Sequence, residues 1–282
     1  MRVLVLGAGA VGGYFGGRLL KSGVDVTFLV RERRAEQLRK NGLVIRSPQG
    51  DATLNNPAIV IGQPGPEFEL VILTCKAYDL DSAIKAIAPA IGPETVVLPM
   101  LNGLRHLEAL DERFGKDRVI GGFCAIAATL DHEGTIVHLN RLHELRFGER
   151  DGRLTDRVSS IAKLMPPAAM DARLSQSILH DMWEKWVMLS TLAGITCLMR
   201  ASIGCIVSAP GGKHLTLQLL DECRAIAAAY GYAPREASLQ RMRAILTDPE
   251  STFTASMLRD IERGGDRRIG SPKMSPGPTR FI

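Results

Sequence analysis

The chain has 282 residues, 45% hydrophobic and 23% charged, a soluble globular composition with length for one large domain or two ordinary ones. Of its net charge of +5, residues 263–282 supply most, with five basic side chains against the single acid Asp266; a basic tail is not a basic binding face, so no nucleic-acid partner is expected. The uncharged run from Trp186 to Met199 has 14 residues, short of the roughly 18 that span a bilayer, so no membrane partner is expected either.

The first elements are a strand at 3–6 (VLVL), a helix near 10–22, a strand at 26–30 and a helix near 32–40. Further strands are predicted at 43–47, 69–74, 95–100, 119–123, 135–139 and 145–149, with helices near 79–91 and 104–114. Near-continuous apolar strands separated by helices predict a mostly parallel sheet covered on both faces. The closely spaced runs at 43–61 and 135–149 read as hairpins. From about 176 the pattern turns helical, at 177–199, 211–231, 235–247 and 253–263, and residues 264–282 are an irregular basic Pro/Gly tail. The expected domains are 1–172, α/β; 173–263, all-α; and the tail. The N-terminus runs from Arg2 straight into an apolar strand and lacks the parts of a signal peptide. Five scattered cysteines (75, 124, 197, 205, 223) without a C-x-x-C pair read as reduced thiols, mostly core filler, and a cytoplasmic protein is expected.

The strongest motif is LGAGAVGG. Gly7, Gly9 and Gly12 form G-x-G-x-x-G directly after an apolar strand and before a helix, the signature of a Rossmann-type doubly wound domain. Gly7 permits the tight turn, Gly9 lets the backbone approach a pyrophosphate, and Gly12 lets helix and strand pack closely. Gly7, Ala8, Gly9, Ala10, Val11 and Gly12 are therefore the expected pyrophosphate site, at the positive end of the helix. NAD sites place an acid at the end of the second strand; here Arg31 stands there, which suits a 2′-phosphate and predicts NADP(H), although Glu32 follows it. Lys76 and Asn102 follow the strands ELVILTC and TVVLPML, where open α/β sheets bind ligands.

Lys185 lies between the only two tryptophans, Trp183 and Trp186, and heads the uncharged run. On a helix, Asp181, Leu189 and Ala193 share its face. Such a lysine either lays its stem on apolar surface with its head in water, or serves as a placed proton donor. No histidine pair has metal-ligand spacing, His138 and His143 included, so no metal site is expected.

Taken in order, GAGAVG, LTCKAYD, LNG, WEK and SMLRDIERGG resemble the ketopantoate reductase (2-dehydropantoate 2-reductase) family over residues 1 to about 265. The resemblance implies NADPH-dependent reduction of a 2-keto acid, on the way to pantothenate. It implies Lys185 as general acid, Asn102 contacting cofactor and substrate, Lys76 beside the nicotinamide, Ser256 at the substrate carboxylate, and a backbone contact from Ala128 to the cofactor. The helical second domains of such reductases often pair, which leaves a homodimer open.

Two departures stand out. Where the family carries substrate-facing asparagines, this chain has Leu189, Ala193 and Ile203, which points to a 2-keto acid with a less polar tail. Where a glutamate is expected twelve residues beyond Ser256, it has Arg268, followed by the Pro/Gly tail. A reading-frame change or truncation near Gly265–Asp266 is the expectation, against a genuine variant tail. Two other readings stay open: an NADP(H)-binding protein with impaired or no catalysis, and another 2- or 3-hydroxy acid dehydrogenase on the same two-domain plan.

Overall fold

The glycines of AVGGYFGG do more than turn the chain. In helix α1 (Ala10–Lys21), which follows strand β1 (Arg2–Leu6), they fall in two stripes. A Cβ at Gly12 or Gly16 would run into β1 or the Phe28 ring, while one at Gly13 or Gly17 would run into Ile136, Leu43 or Ile45. Each glycine costs about 1 kcal/mol of helix propensity relative to alanine. Here that cost is offset by burial, because α1 packs against two sheets at once and Tyr14, Phe15 and Leu19 are buried.

The computed structural model describes residues 1–65 and 68–262. The chain forms two compact units, divided at Ile178/Leu179. After β1 and α1 the first unit continues through β2 (Asp25–Leu29), α2 (Glu32–Asn41), β3 (Leu43–Arg46), β4 (Ala52–Leu54) and β5 (Ala58–Val60). It goes on through β6 (Leu70–Leu73), α3 (Leu80–Ile87), β7 (Val96–Pro99), α4 (His106–Phe114), β8 (Gly121–Leu130), β9 (Ile136–Gly148), α5 (Asp156–Leu164) and β10 (Asp171–Leu174).

One sheet is wholly parallel, in the order β5-β2-β1-β6-β7. Strands β6 and β7 are buried throughout, as LVIL and VVLP predict. The alternating pattern predicts one mostly parallel sheet with two hairpins; the structure has a second, mixed sheet, ordered β10-β9-β3-β4 with β8 on β9. The run at 119–123 meets the parallel sheet only through a bridge from Val119 to Val97 before becoming antiparallel β8. The runs at 135–139 and 145–149 are not a hairpin but one strand, β9. The hairpin lies between β8 and β9, where Asp131 Oδ1 accepts from the backbone N–H groups of Glu133 (3.0 Å) and Thr135 (2.7 Å). At 43–61 the hairpin is β3–β4 alone, since β5 leaves to pair in parallel with β2.

The expected boundary at 172/173 falls inside β10, a strand that pairs in parallel with β9 and so belongs to the first unit. The second unit contains α6 (Ile178–Met199), most of it beyond the boundary, then α7 (Ile203–Ser208), α8 (Gly212–Ala229), α9 (Glu236–Leu246) and α10 (Ser256–Glu262). Among its described residues there is no strand. The tail at 264–282 lies outside the described residues, and so do Arg268 and the expected frame change. No helix among the described residues is long and apolar enough to cross a membrane. All five cysteines are free, but only Cys124 and Cys223 are buried; Cys205 is exposed, so the core-filler reading fails for most of them.

Candidate active site

In a parallel sheet the carboxyl ends of all strands lie at one edge. The glycine turn follows β1, Arg31 follows β2, Lys76 follows β6 and Asn102 follows β7, so four sequence-predicted features share that edge of the first unit. Gly7 has a φ of 88°, which glycine adopts without strain, and its N–H donates to the Leu29 carbonyl at 2.9 Å. A Cβ at Gly12 would overlap the Gly7 carbonyl and the Thr74 hydroxyl. Thr74 Oγ1 in turn donates to the Leu6 carbonyl at 2.7 Å, tying the ends of β1 and β6 together. Lys76 is exposed and opens a short 3-10 turn, Ala77–Asp79. Asn102 is also exposed, ahead of Gly103 at φ 84°. Arg31 caps α2 and is 83% exposed; its Nη2 pairs with Asp79 Oδ1 at 3.6 Å.

Three residues near this edge carried no role in the sequence reading. Arg34 donates through Nε to the Ala8 carbonyl (2.8 Å) and through Nη1 to the Gly134 carbonyl (2.8 Å), bracing the glycine turn against the β8–β9 turn. Burial lowers its pKa, partly opposed by Asp131. Its only sequence signal was membership of the run RERR. Thr74 is the second, and Asp79 the third. Cys75 is pushed up to about 11 by burial, with the Asp79 charge adding to it, so it is a neutral thiol at pH 7. Ala128 sits beside a bulge: the β8–β9 register slips between Ile126 and Ala128 and leaves Ala127 outside the ladder, freeing local backbone groups.

In the second unit, Lys185 is half-buried on the third turn of α6. Leu189, Leu192 and Thr196 follow on its face at i+4, i+7 and i+11. Thr191 and Thr196 satisfy their buried hydroxyls on the carbonyls of Val187 (2.8 Å) and Leu192 (2.6 Å), which lets the uncharged helix bury polar groups. Just before Lys185 stand two buried carboxylates, Asp181 and Glu184, both bonded by Arg235. For Glu184, burial acts to raise the pKa, but hydrogen bonds from Arg235 outweigh it and the pKa is lowered. Trp183 stacks on Tyr230 (5.2 Å) and Tyr232 (5.7 Å). Ser256 is exposed at the start of α10, and the preceding Ala255 N–H donates to Thr196 Oγ1 at 3.4 Å. Among the described residues no group of three or more His, Cys, Asp or Glu side chains could hold a metal ion.

Residues 3–152 match the family model described as ketopantoate reductase PanE/ApbA, and residues 177–267 match that of its C-terminal part. The chain belongs to the ketopantoate reductase family. It is 39% identical over 264 residues to a Bacillus subtilis protein named uncharacterized oxidoreductase YkpB, covering 94% of this chain and 87% of that protein. It is 30% identical to the 2-dehydropantoate 2-reductase of Archaeoglobus fulgidus, covering 93% and 85%. A crystal structure of 2-dehydropantoate 2-reductase from Geobacter metallireducens superposes with a TM-score of 0.84 at 29% identity, over 94% of this chain and 88% of that one.

Membership makes the chain an oxidoreductase that works with a nicotinamide cofactor. The turn after β1 fits such a group. A Cβ at Gly9 would meet nothing within 4 Å, so the space over this glycine is open. Gly9 caps α1 with no side-chain hydrogen bond, and no acid stands in the first turn of α1. Of the three positions where the family carries amides, Leu189 and Ala193 are half-buried along α6. Ile203 is fully buried at the start of α7, its N–H on the Phe253 carbonyl at 3.1 Å. Its burial sets it apart from the half-buried Leu189 and Ala193.

Proposed function

We propose that this chain reduces a 2-keto acid to the 2-hydroxy acid with NADPH, with Lys185 as the general acid. One observation supports the role of Lys185 above the rest. It is the only charged side chain on α6 between Glu184 and the end of the helix, and it is half-buried at the head of an uncharged face. Bound NADPH supplies a hydride to the keto carbon. Negative charge then grows on the keto oxygen, and the Lys185 ammonium donates the proton that neutralises it. Asp181 and Glu184, on the turn before Lys185, share the Arg235 guanidinium, which anchors the start of the helix that carries the lysine.

The remaining roles follow from position. The α1 N-terminus and the backbone of Gly7–Gly12 hold the pyrophosphate. Arg31 takes the ribose 2′-phosphate. Lys76, exposed at the start of the turn after β6, stands beside the nicotinamide in this reading. Asn102 orients cofactor and substrate, Ser256 takes the substrate carboxylate, and the stretch around Ala128 offers a backbone contact. Leu189 and Ala193 face a substrate tail less polar than that of ketopantoate. A homodimer is part of the proposal, drawn from Leu198, Tyr230 and Met257, which are exposed on the helical unit. A cytoplasmic location matches it.

The test is NADPH oxidation with ketopantoate and a series of 2-keto acids of falling tail polarity. Turnover, with the highest kcat/KM on an apolar tail, is expected. Ketopantoate ahead of all others by a wide margin would refute the altered substrate. Tight NADPH binding without turnover on any member would favour a binding protein instead.

A further inference from the structure

Arg31 does not wait free for a phosphate. Its Nη2 lies 3.6 Å from Asp79 Oδ1, with the two side chains 83% and 38% exposed. Asp79 arrives from a different strand: it closes the 3-10 turn after β6, and its N–H donates to the Lys76 carbonyl at 2.9 Å. The turn therefore fixes the main chain of Asp79, from which the side chain reaches Arg31. Its charge is also felt at Cys75, whose thiol it helps to raise. A carboxylate at the ribose end of a dinucleotide site repels a 2′-phosphate, whereas an uncharged 2′-hydroxyl meets no such repulsion.

Resting on the reading that Arg31 meets the adenosine ribose, we propose that Asp79 is a specificity-determining residue that weakens selection for the 2′-phosphate, so that the chain accepts both NADPH and NADH. To take NADPH, Arg31 must exchange Asp79 for the phosphate, and the carboxylate remains near two negative charges. The exchange is feasible because an exposed ion pair is weak. With a phosphate near −2 at about 7 Å in water, the repulsion corresponds to roughly three- to tenfold in affinity. NADH feels none of it.

The experiment measures Kd for NADPH and NADH by fluorescence titration on the full chain, for the wild type, Asp79→Asn, Asp79→Ser and Arg31→Ala. The proposal expects wild-type affinities for the two within about tenfold of one another, given the repulsion estimated above. It expects Asp79→Asn and Asp79→Ser to tighten NADPH by about three- to tenfold and to leave NADH within about twofold. It expects the NADPH gain to shrink in high salt. NADH affinity also serves as the check that each variant is folded. Should Arg31→Ala lose NADPH selectively while the Asp79 variants leave NADPH unchanged, the ribose reading stands and the role of Asp79 falls. Should Asp79→Asn weaken NADH instead, the carboxylate serves the ribose hydroxyl and the proposal is overturned. If Arg31→Ala moves neither dinucleotide, the underlying reading fails and takes this one with it.

Discussion

Replacing Arg235 by alanine should destabilise the helical unit by leaving two buried carboxylates without their guanidinium. Its Nε and Nη2 donate to Glu184 at 2.8 and 2.6 Å, and Nη2 also bonds Asp181. Both carboxylates are buried, while the Arg235 side chain is 48% exposed. Removing one partner of a buried ion pair costs about 3–5 kcal/mol, because the other charge is left uncompensated. Half-exposure of the arginine lets water replace part of its bonding, and the Arg235 backbone N–H still donates to Glu184, so about 3 kcal/mol is the expected loss at pH 7. In thermal unfolding that is a fall in Tm of roughly 6–12 °C.

The pH dependence separates charge from packing. The folded pKa of Glu184 is depressed. Its contribution to stability is therefore present above the unfolded carboxylate value of about 4.3 and is lost as pH falls through the folded value. In Arg235→Ala the pairing is gone, and burial pushes the same carboxyl up, so acidification relieves the variant. The gap between wild type and variant should shrink from pH 7 to pH 4. An equal gap at both values would mean that Arg235 acts through packing alone.

Gly9 and Gly12 should respond in opposite ways. Gly12→Ala puts a methyl into the Gly7 carbonyl, and overpacking of this kind costs about 1–3 kcal/mol, read as a lower Tm. Gly9→Ala meets open space, so Tm should hold while NADPH Kd rises at least about tenfold in a titration, the methyl standing where the pyrophosphate approaches. Leu189→Asn should raise kcat/KM for hydroxyl-bearing 2-keto acids relative to apolar ones by about tenfold or more, compared in one assay series.

The glycine turn was legible because strand, G-x-G-x-x-G and helix form one local unit whose chemistry depends on backbone alone. The parallel sheet was legible from buried apolar runs for the same reason. The second sheet was not, because β9 also pairs with β3 and β10, and those pairings are long-range. The hairpin turn at Asp131–Gly134 carries a local signal, an aspartate able to accept from the turn's own backbone. Nothing local to Glu184 and Asp181, on the first turns of a helix, marks them as buried. Only the fold shows that Arg235, some fifty residues on, makes their burial tolerable. Arg34 and Asp79 were invisible for a similar reason: each matters through contacts with residues distant in sequence.

Lys185→Ala, assayed with NADPH and the best 2-keto acid, tests the central claim most directly. A positioned general acid is worth about 10²–10⁴ in rate, so kcat should fall by that factor while the Kd for NADPH, measured on the same preparation, stays within about twofold. A kcat within about threefold of the wild type would contradict the account.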